Sequence, residues 1–265
     1  MPQIAQVLSR FSEGVLTLTL DNPQSRNALT MEMSQTLVDR LRDASNDFSV
    51  RVVVVTGSGN AFCAGGDVKA MAAGRDAGMS LEARAQRLRG RAEAIRLLHE
   101  MPKPTVALLP GAAAGAGLGV ALACDFRLGS DQARLATAFA KVGLAGDLGV
   151  SWLLTQMLGA ARTRELLMLA PVLNAQEALA LGLLSCVFAA GDYERECVKF
   201  VAALASGPTV AYGHIKRNVN LSVASALGPA LDAEALHQAR CMMTEDHESA
   251  AQAFADKRMP VFQGR

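Results

Sequence analysis

Apolar and polar residues alternate with period two along Val15-Leu16-Thr17-Leu18-Thr19-Leu20, which predicts a half-buried strand ended by Asp21-Asn22-Pro23. Apolar positions then recur every three or four residues through Met33, Leu37, Val38 and Leu41, a helical face with Thr30 or Asn27 available as its cap. Arg51-Val52-Val53-Val54-Val55-Thr56-Gly57 is a short β-branched run closed by glycine, the pattern of a strand buried on both faces. Strand, helix and buried strand in that order form a βαβ rhythm and imply a mostly parallel sheet. A charged helix is predicted from about Leu81 to His99, then a buried strand at Thr105-Val106-Ala107-Leu108-Leu109 and a shorter one at Phe126-Arg127-Leu128. Beyond Ser151 the period is helical, through Leu153, Leu154, Met157 and Leu158 and again through Leu166, Leu167 and Leu169. Leu183 to Phe188 predicts a late strand, and from Pro208 onward only helical pattern remains. The chain thus reads as an α/β core over residues 1–200 and a helical region over 201–265, with no repeat or linker between them.

Composition narrows the function without naming it. At 265 residues the chain can bury a sizeable core without disulfide or metal staples. With 51% apolar and 19% charged residues it is not a disordered chain. A net charge of +1, from 26 basic and 25 acidic residues, argues against nucleic acid or an anionic membrane as the main partner. The five cysteines form no CxxC pair and read as reduced thiols of a cytoplasmic protein, and Met1 to Arg10 lack the apolar segment of a secretion signal. Pro104 to Cys124 carries no charge and is long enough to span a bilayer, but Pro110-Gly111 and three further glycines break it. It reads as strand, glycine turn and helix start.

Most candidate chemistry reduces to packing. Gly57-Ser58-Gly59 lacks the third glycine of a dinucleotide-binding turn, since position 62 is Phe62. His99, His214, His237 and His247 show no metal-ligand spacing, so no metal site is expected, and Cys63 reads as a buried thiol. Two glycine turns remain. Ala61-Phe62-Cys63-Ala64-Gly65-Gly66-Asp67 follows the Val52–Val55 strand, and Gly111 to Gly119 follows the Thr105–Leu109 strand. Such turns leave main-chain N–H groups unpaired at a helix N-terminus, where they can hold an anion or a developing oxyanion. Two of them, after neighbouring buried strands, point to donors converging on one oxygen.

At this point the sequence resembles the enoyl-CoA hydratase/isomerase (crotonase) family. The resemblance rests on Arg26-Asn27-Ala28-Leu29, Ala61 through Val68 and Lys69, Gly111 through Asp125, and the ending Phe254-Ala255-Asp256-Lys257-Arg258-Met259-Pro260-Val261-Phe262. It implies a crotonase-like spiral of repeated ββα and βαβ turns with a helical C-terminal region that packs trimers, often doubled to hexamers. It also implies an acyl-CoA thioester substrate whose carbonyl sits in an oxyanion hole made by the N–H groups of Gly66 and Ala116. Asn27, Ala28, Ala64, Gly65, Asp67, Gly115, Phe139 and Lys257 are the substrate-binding positions the resemblance supplies. No separate cofactor is implied, because coenzyme A arrives as part of the substrate.

The reaction depends on the carboxylates. Hydratases of this family use two glutamates, and those positions fall here on Gly119 and Phe139, neither of which moves a proton. Between Met101 and Arg164 only Asp125, Asp131 and Asp147 occur. Asp125 matches a structural aspartate of the family, and Asp131 lies in the polar turn Ser130-Asp131-Gln132. Asp147 lies in a Gly-Leu-x-x-Asp-x-Gly stretch that resembles ring-1,2-epoxyphenylacetyl-CoA isomerase and related enoyl-CoA isomerases. It is either the N-cap of the next helix or the proton carrier, and apolar walls would favour the protonated form that a carrier needs. The favoured reading is an acyl-CoA isomerase, acting on an unsaturated chain or a ring epoxide, in which Asp147 moves the proton. A hydratase with a different acid–base set and a catalytically silent acyl-CoA-binding protein are the rivals. The family's aspartate-dependent dehalogenases need a histidine and a tryptophan that fall here on Arg96 and Phe139. Met71, Leu88 and Trp152 are the candidate walls of the acyl pocket.

Overall fold

The structure, a computed structural model, describes residues 5–67, 74 and 78–265. Val68, Lys69 and Met71 lie outside the described residues. The alternating segment forms β2 (Val15–Asp21), preceded by a strand absent from the sequence reading, β1 (Gln6–Ser12). The two pair as an antiparallel hairpin whose turn, Glu13-Gly14, takes positive φ at both residues, as a tight hairpin turn requires. The first helix, α1 (Met31–Asn46), starts at Thr30, whose side chain accepts the Met33 N–H at 3.1 Å.

From here each buried strand is followed by a short strand that leaves the first sheet and starts a second. β3 (Val52–Gly57) leads to β4 (Ala61–Cys63), β5 (Thr105–Leu109) to β6 (Ala112–Ala114), and β7 (Phe126–Ser130) to β8 (Arg134–Ala136). β9 (Leu173–Asn174) and β10 (Cys186–Phe188) complete the two sheets. The six-stranded sheet runs β1-β2-β3-β5-β7-β10, parallel from β2 onward, and the four-stranded sheet runs β4-β6-β8-β9. Pro104 to Cys124 therefore holds β5, a glycine turn, β6 and α4 (Ala116–Leu122). Among the described residues, no helix is long and apolar enough to cross a membrane.

The valine run of β3 explains its own burial. Val53 and Val55 face the main core with Leu18, Leu109 and Phe62, while Val52 and Val54 face the other side with Val106 and Leu128. That second face is covered by α7 (Tyr193–Ala205) through Cys197, Val201 and Ala205. The charged segment predicted as one helix is two, α2 (Leu81–Arg91) and α3 (Glu93–Glu100), meeting at Ala92. The helical pattern after Ser151 is α5 (Val150–Leu169), bent at Gly159, whose φ of 75° and ψ of 164° separate the two apolar periods seen in the sequence. After α6 (Ala175–Ala180), α7 spans residue 200, and α8 (Thr209–Ser222), α9 (Leu227–Met242) and α10 (Glu245–Ala255) follow. Lys216 on α8 ties this region to the core, donating to Leu98 O at 2.7 Å and pairing with Asp125 Oδ2 at 2.8 Å.

Candidate active site

The two glycine turns meet where the spiral passes from its first sheet to its second. β4 ends at Cys63, and the chain turns through Ala64 and Gly65, whose φ of 108° suits glycine. A Cβ on Gly65 would lie 3.0 Å from Ala114 O and 3.6 Å from Ala116 N, so the first turn rests directly against the second. Gly115 has φ 50° and ψ −122°, and its N–H donates to Ala136 O at 3.0 Å. This directs the chain into α4, whose first residue is Ala116. Gly117 is required by closeness: a Cβ there would sit 2.4 Å from Cys63 O and 2.7 Å from Cys63 Sγ. Burial pushes the Cys63 thiol up to about 12, consistent with the packing role read from sequence.

Residues 26–29 line the first turn from the other side. Ala64 N–H donates to Arg26 O at 2.9 Å, and Leu29 N–H to Gly65 O at 2.8 Å. Leu29 and Gly66 form an isolated parallel bridge, which engages the carbonyl before Gly66 and leaves the Gly66 N–H outside it. Asn27 is fully buried with φ 60°. Its Nδ2 donates to Ser58 O and Ala61 O at 2.9 and 2.8 Å, and its Oδ1 accepts from Asn22 N and Ser58 Oγ at 3.0 Å. The Asn27 side chain, offered by the resemblance as substrate-binding, is a clamp between loops in this structure. Ala28 is buried beside it.

Phe139 is buried and lies over Gly115, with Cε1 3.8 Å from the position a Cβ there would occupy. Asp67 is half-buried at the end of the first turn. Lys257 is not brought to this cluster by any described contact. It is exposed, in a left-handed turn after α10. Trp152 is half-exposed and meets His99 edge-on at 5.3 Å, and Leu88 is exposed to a similar degree. Asp125 accepts from Thr105 N–H, Thr105 Oγ and Lys216 Nζ, a structural role as read, and Asp131 sits on an exposed turn.

Asp147 joins the cluster through its neighbour. A Cβ on Gly119 would fall 2.8 Å from Leu148 O and 3.1 Å from Leu148 Cβ, so the Asp147 loop is seated directly on that glycine. Gly119 and Ala116 are three residues apart on α4 and share a face, with side-chain positions about 5–6 Å apart. Asp147 is not the helix cap. The N-cap of α5 is Gly149, with no side-chain hydrogen bond, and Asp147 Oδ1 accepts the N–H of Leu148 at 2.7 Å. Its Oδ2 stands 4.0 Å from Nη1 of Arg91, a buried guanidinium where the sequence reading expected apolar walls. Arg91 had no sequence signal of its own, because it ends the basic run Arg84, Arg87, Arg89, Arg91 of a helix that reads as solvated.

A spiral of this topology, with two glycine turns touching at its sheet crossover, matches known proteins along its whole length. The pattern of the enoyl-CoA hydratase/isomerase family covers residues 10–265, and the chain belongs to that family of enzymes. It is 33% identical over 264 residues to the 1,2-epoxyphenylacetyl-CoA isomerase of Escherichia coli (strain K12), covering 98% of each chain. It is 31% identical over 262 residues, again 98% of each, to the trans-2-decenoyl-[acyl-carrier-protein] isomerase of Streptococcus mutans. A crystal structure of an enoyl-CoA hydratase from Polaromonas sp. JS666 superposes with a TM-score of 0.91 at 35% identity, over 97% of this chain and all of that one. The fold is the crotonase fold that the resemblance implied.

Proposed function

We propose that this enzyme is an acyl-CoA isomerase in which Asp147 moves the proton. The observation that carries the reading is the seating of Leu148, the residue after Asp147, on Gly119 of the helix that begins with Ala116. The same contact fills the space where the family's hydratases carry their first glutamate. The N–H groups of Gly66 and Ala116 would receive the thioester oxygen as negative charge develops on it, each donor lowering the barrier by roughly 2.7–4 kcal/mol. Asp147 would then take a proton from one carbon of the acyl group and return it to another, with Phe139 walling the site above Gly115. Each of these steps uses this chain's own backbone and side chains, with coenzyme A carried in as part of the substrate. The five free cysteines fit a reducing, cytoplasmic setting.

Steady-state assays with crotonyl-CoA, a 3-enoyl-CoA and the phenylacetyl-CoA epoxide test the reading. Turnover of the second or third, without hydration of the first, is the expected result. Asp147→Asn keeps shape and the acceptor for Leu148 N–H but loses the exchangeable carboxyl, so turnover should fall roughly 10²–10⁴-fold. Acyl-CoA binding should persist while exchange of substrate protons with deuterated water stops. Hydration of crotonyl-CoA as the main activity would establish the hydratase alternative, and binding without turnover of any member would establish the silent one.

A further inference from the structure

Arg91 is a buried charged group of this site that the proposed proton transfer leaves unused. It is the single buried residue of α2, at 9% exposure. Helices normally dock on an apolar stripe, whereas this one turns a cation inward. The guanidinium lies where three parts of the site meet. Its Nε donates to Ser34 Oγ on α1 at 3.3 Å, its Nη1 faces Asp147 Oδ2 at 4.0 Å, and its charge acts on the Cys63 thiol at the first glycine turn. Its Nη2 is buried and meets no acceptor among the described residues. A buried charged donor without an acceptor is among the costlier arrangements a protein can hold.

Resting on the acyl-CoA reading of this site, we infer that Arg91 Nη2 donates to an uncharged oxygen on the acyl group, apart from the thioester carbonyl. The substrates would then be oxygen-bearing acyl-CoA thioesters, with an epoxide, hydroxyl or carbonyl oxygen, in preference to plain hydrocarbon ones. The charge balance favours an uncharged acceptor. Arg91 already faces the Asp147 carboxylate, so a second full anion would share one cation with it. A hydrocarbon at the same place would leave Nη2 buried and unpaired, and a site built to donate to oxygen discriminates strongly against an analogue lacking it.

Binding measured by calorimetry tests this without relying on turnover. The ligands are phenylacetyl-CoA, its 2-, 3- and 4-hydroxy derivatives, a ring-keto analogue and the 2-carboxy derivative. The wild-type enzyme should bind at least one hydroxy or keto ligand about 10- to 100-fold more tightly than phenylacetyl-CoA, the range of a hydrogen bond to a charged donor. The carboxy ligand should gain nothing. In Arg91→Met and Arg91→Leu, neither of which carries a donor, and with folding checked by circular dichroism, the ratio of hydroxy or keto to unsubstituted affinity should collapse toward one. Equal wild-type affinity for all ligands would overturn the inference, and needs no variant. So would a preference that survives in both variants, or one for the carboxylate. These results leave the acyl-CoA site itself standing, whereas failure of every CoA thioester to bind would remove that site and the inference with it.

Discussion

At single residues, the site is defined by what a side chain would strike. Gly119 meets the Leu148 backbone carbonyl, so a glutamate there cannot simply be restored. Gly119→Glu should cost about 1–3 kcal/mol in thermal or denaturant unfolding, as overpacking does, and gain no crotonyl-CoA hydration. A stable Gly119→Glu variant that hydrates crotonyl-CoA faster than wild type would show that the Asp147 loop is not fixed by this contact. Gly66→Pro removes the proposed oxyanion donor and should lower turnover by about two to three orders of magnitude in protein that remains folded. Near-normal turnover in that folded variant would remove Gly66 from the proposed oxyanion hole. The two glycine turns and the scarcity of carboxylates around Asp147 were legible as local signals, whereas the roles proposed for Gly66, Ala116 and Asp147 came from the family resemblance. Arg91 was not legible. Nothing local separates it from Arg87 or Arg89, and only the packing of α2 on Ser34 and the Asp147 loop distinguishes it.

Among the elements, the strands with continuous or alternating apolar runs were readable, and the second sheet was not. β4, β6 and β8 have three residues each, too few to show a period, and they exist because parallel neighbours pair with them. β1 was missed because most of its residues are exposed, so no buried alternation marks it. The break between α2 and α3 is equally silent, since Ala92 is a good helix former. The attachment of α8 rests on Lys216, which is buried, and whose ammonium burial disfavours, although Asp125 counteracts this. Lys216→Met would leave Asp125 and the Leu98 carbonyl without their cation and should destabilise the fold by about 3 kcal/mol in denaturant unfolding. Next to this pair, burial and then the Lys216 charge hold the His99 imidazole below its ordinary 6.5. The folded chain therefore binds fewer protons than the unfolded one just below that value, so stability rises with pH across the window and is lost as pH falls. The melting temperature should rise between pH 5.5 and 7.5, and rise less in His99→Gln. An equal rise in the two proteins would place the pH dependence elsewhere, with His214, lowered by its own burial, the next group to test.

For the molecule as a whole, the helical end of the chain leaves large apolar side chains uncovered. α9 is sixteen residues long and buries none of them. Leu227 is 74% exposed, Met243 just past its end 88%, and Phe254 on α10 87%, with Leu231, Leu236 and Met242 more than half exposed between them. Soluble monomers seldom leave large areas of apolar surface in water. Closed symmetry gives the economical solution, since a surface that pairs around an axis buries every copy equally. We therefore expect the homotrimer, or dimer of trimers, that the family resemblance implies. Sedimentation velocity at micromolar concentration should show no monomer, and Leu231→Glu with Met243→Glu should shift the distribution toward it by placing charge in a desolvated contact. If the wild-type chain sediments as a stable monomer, the assembly is wrong and the exposed face of α9 requires a different partner. If it sediments as a trimer that the double variant leaves intact, the trimer stands but is built on another surface.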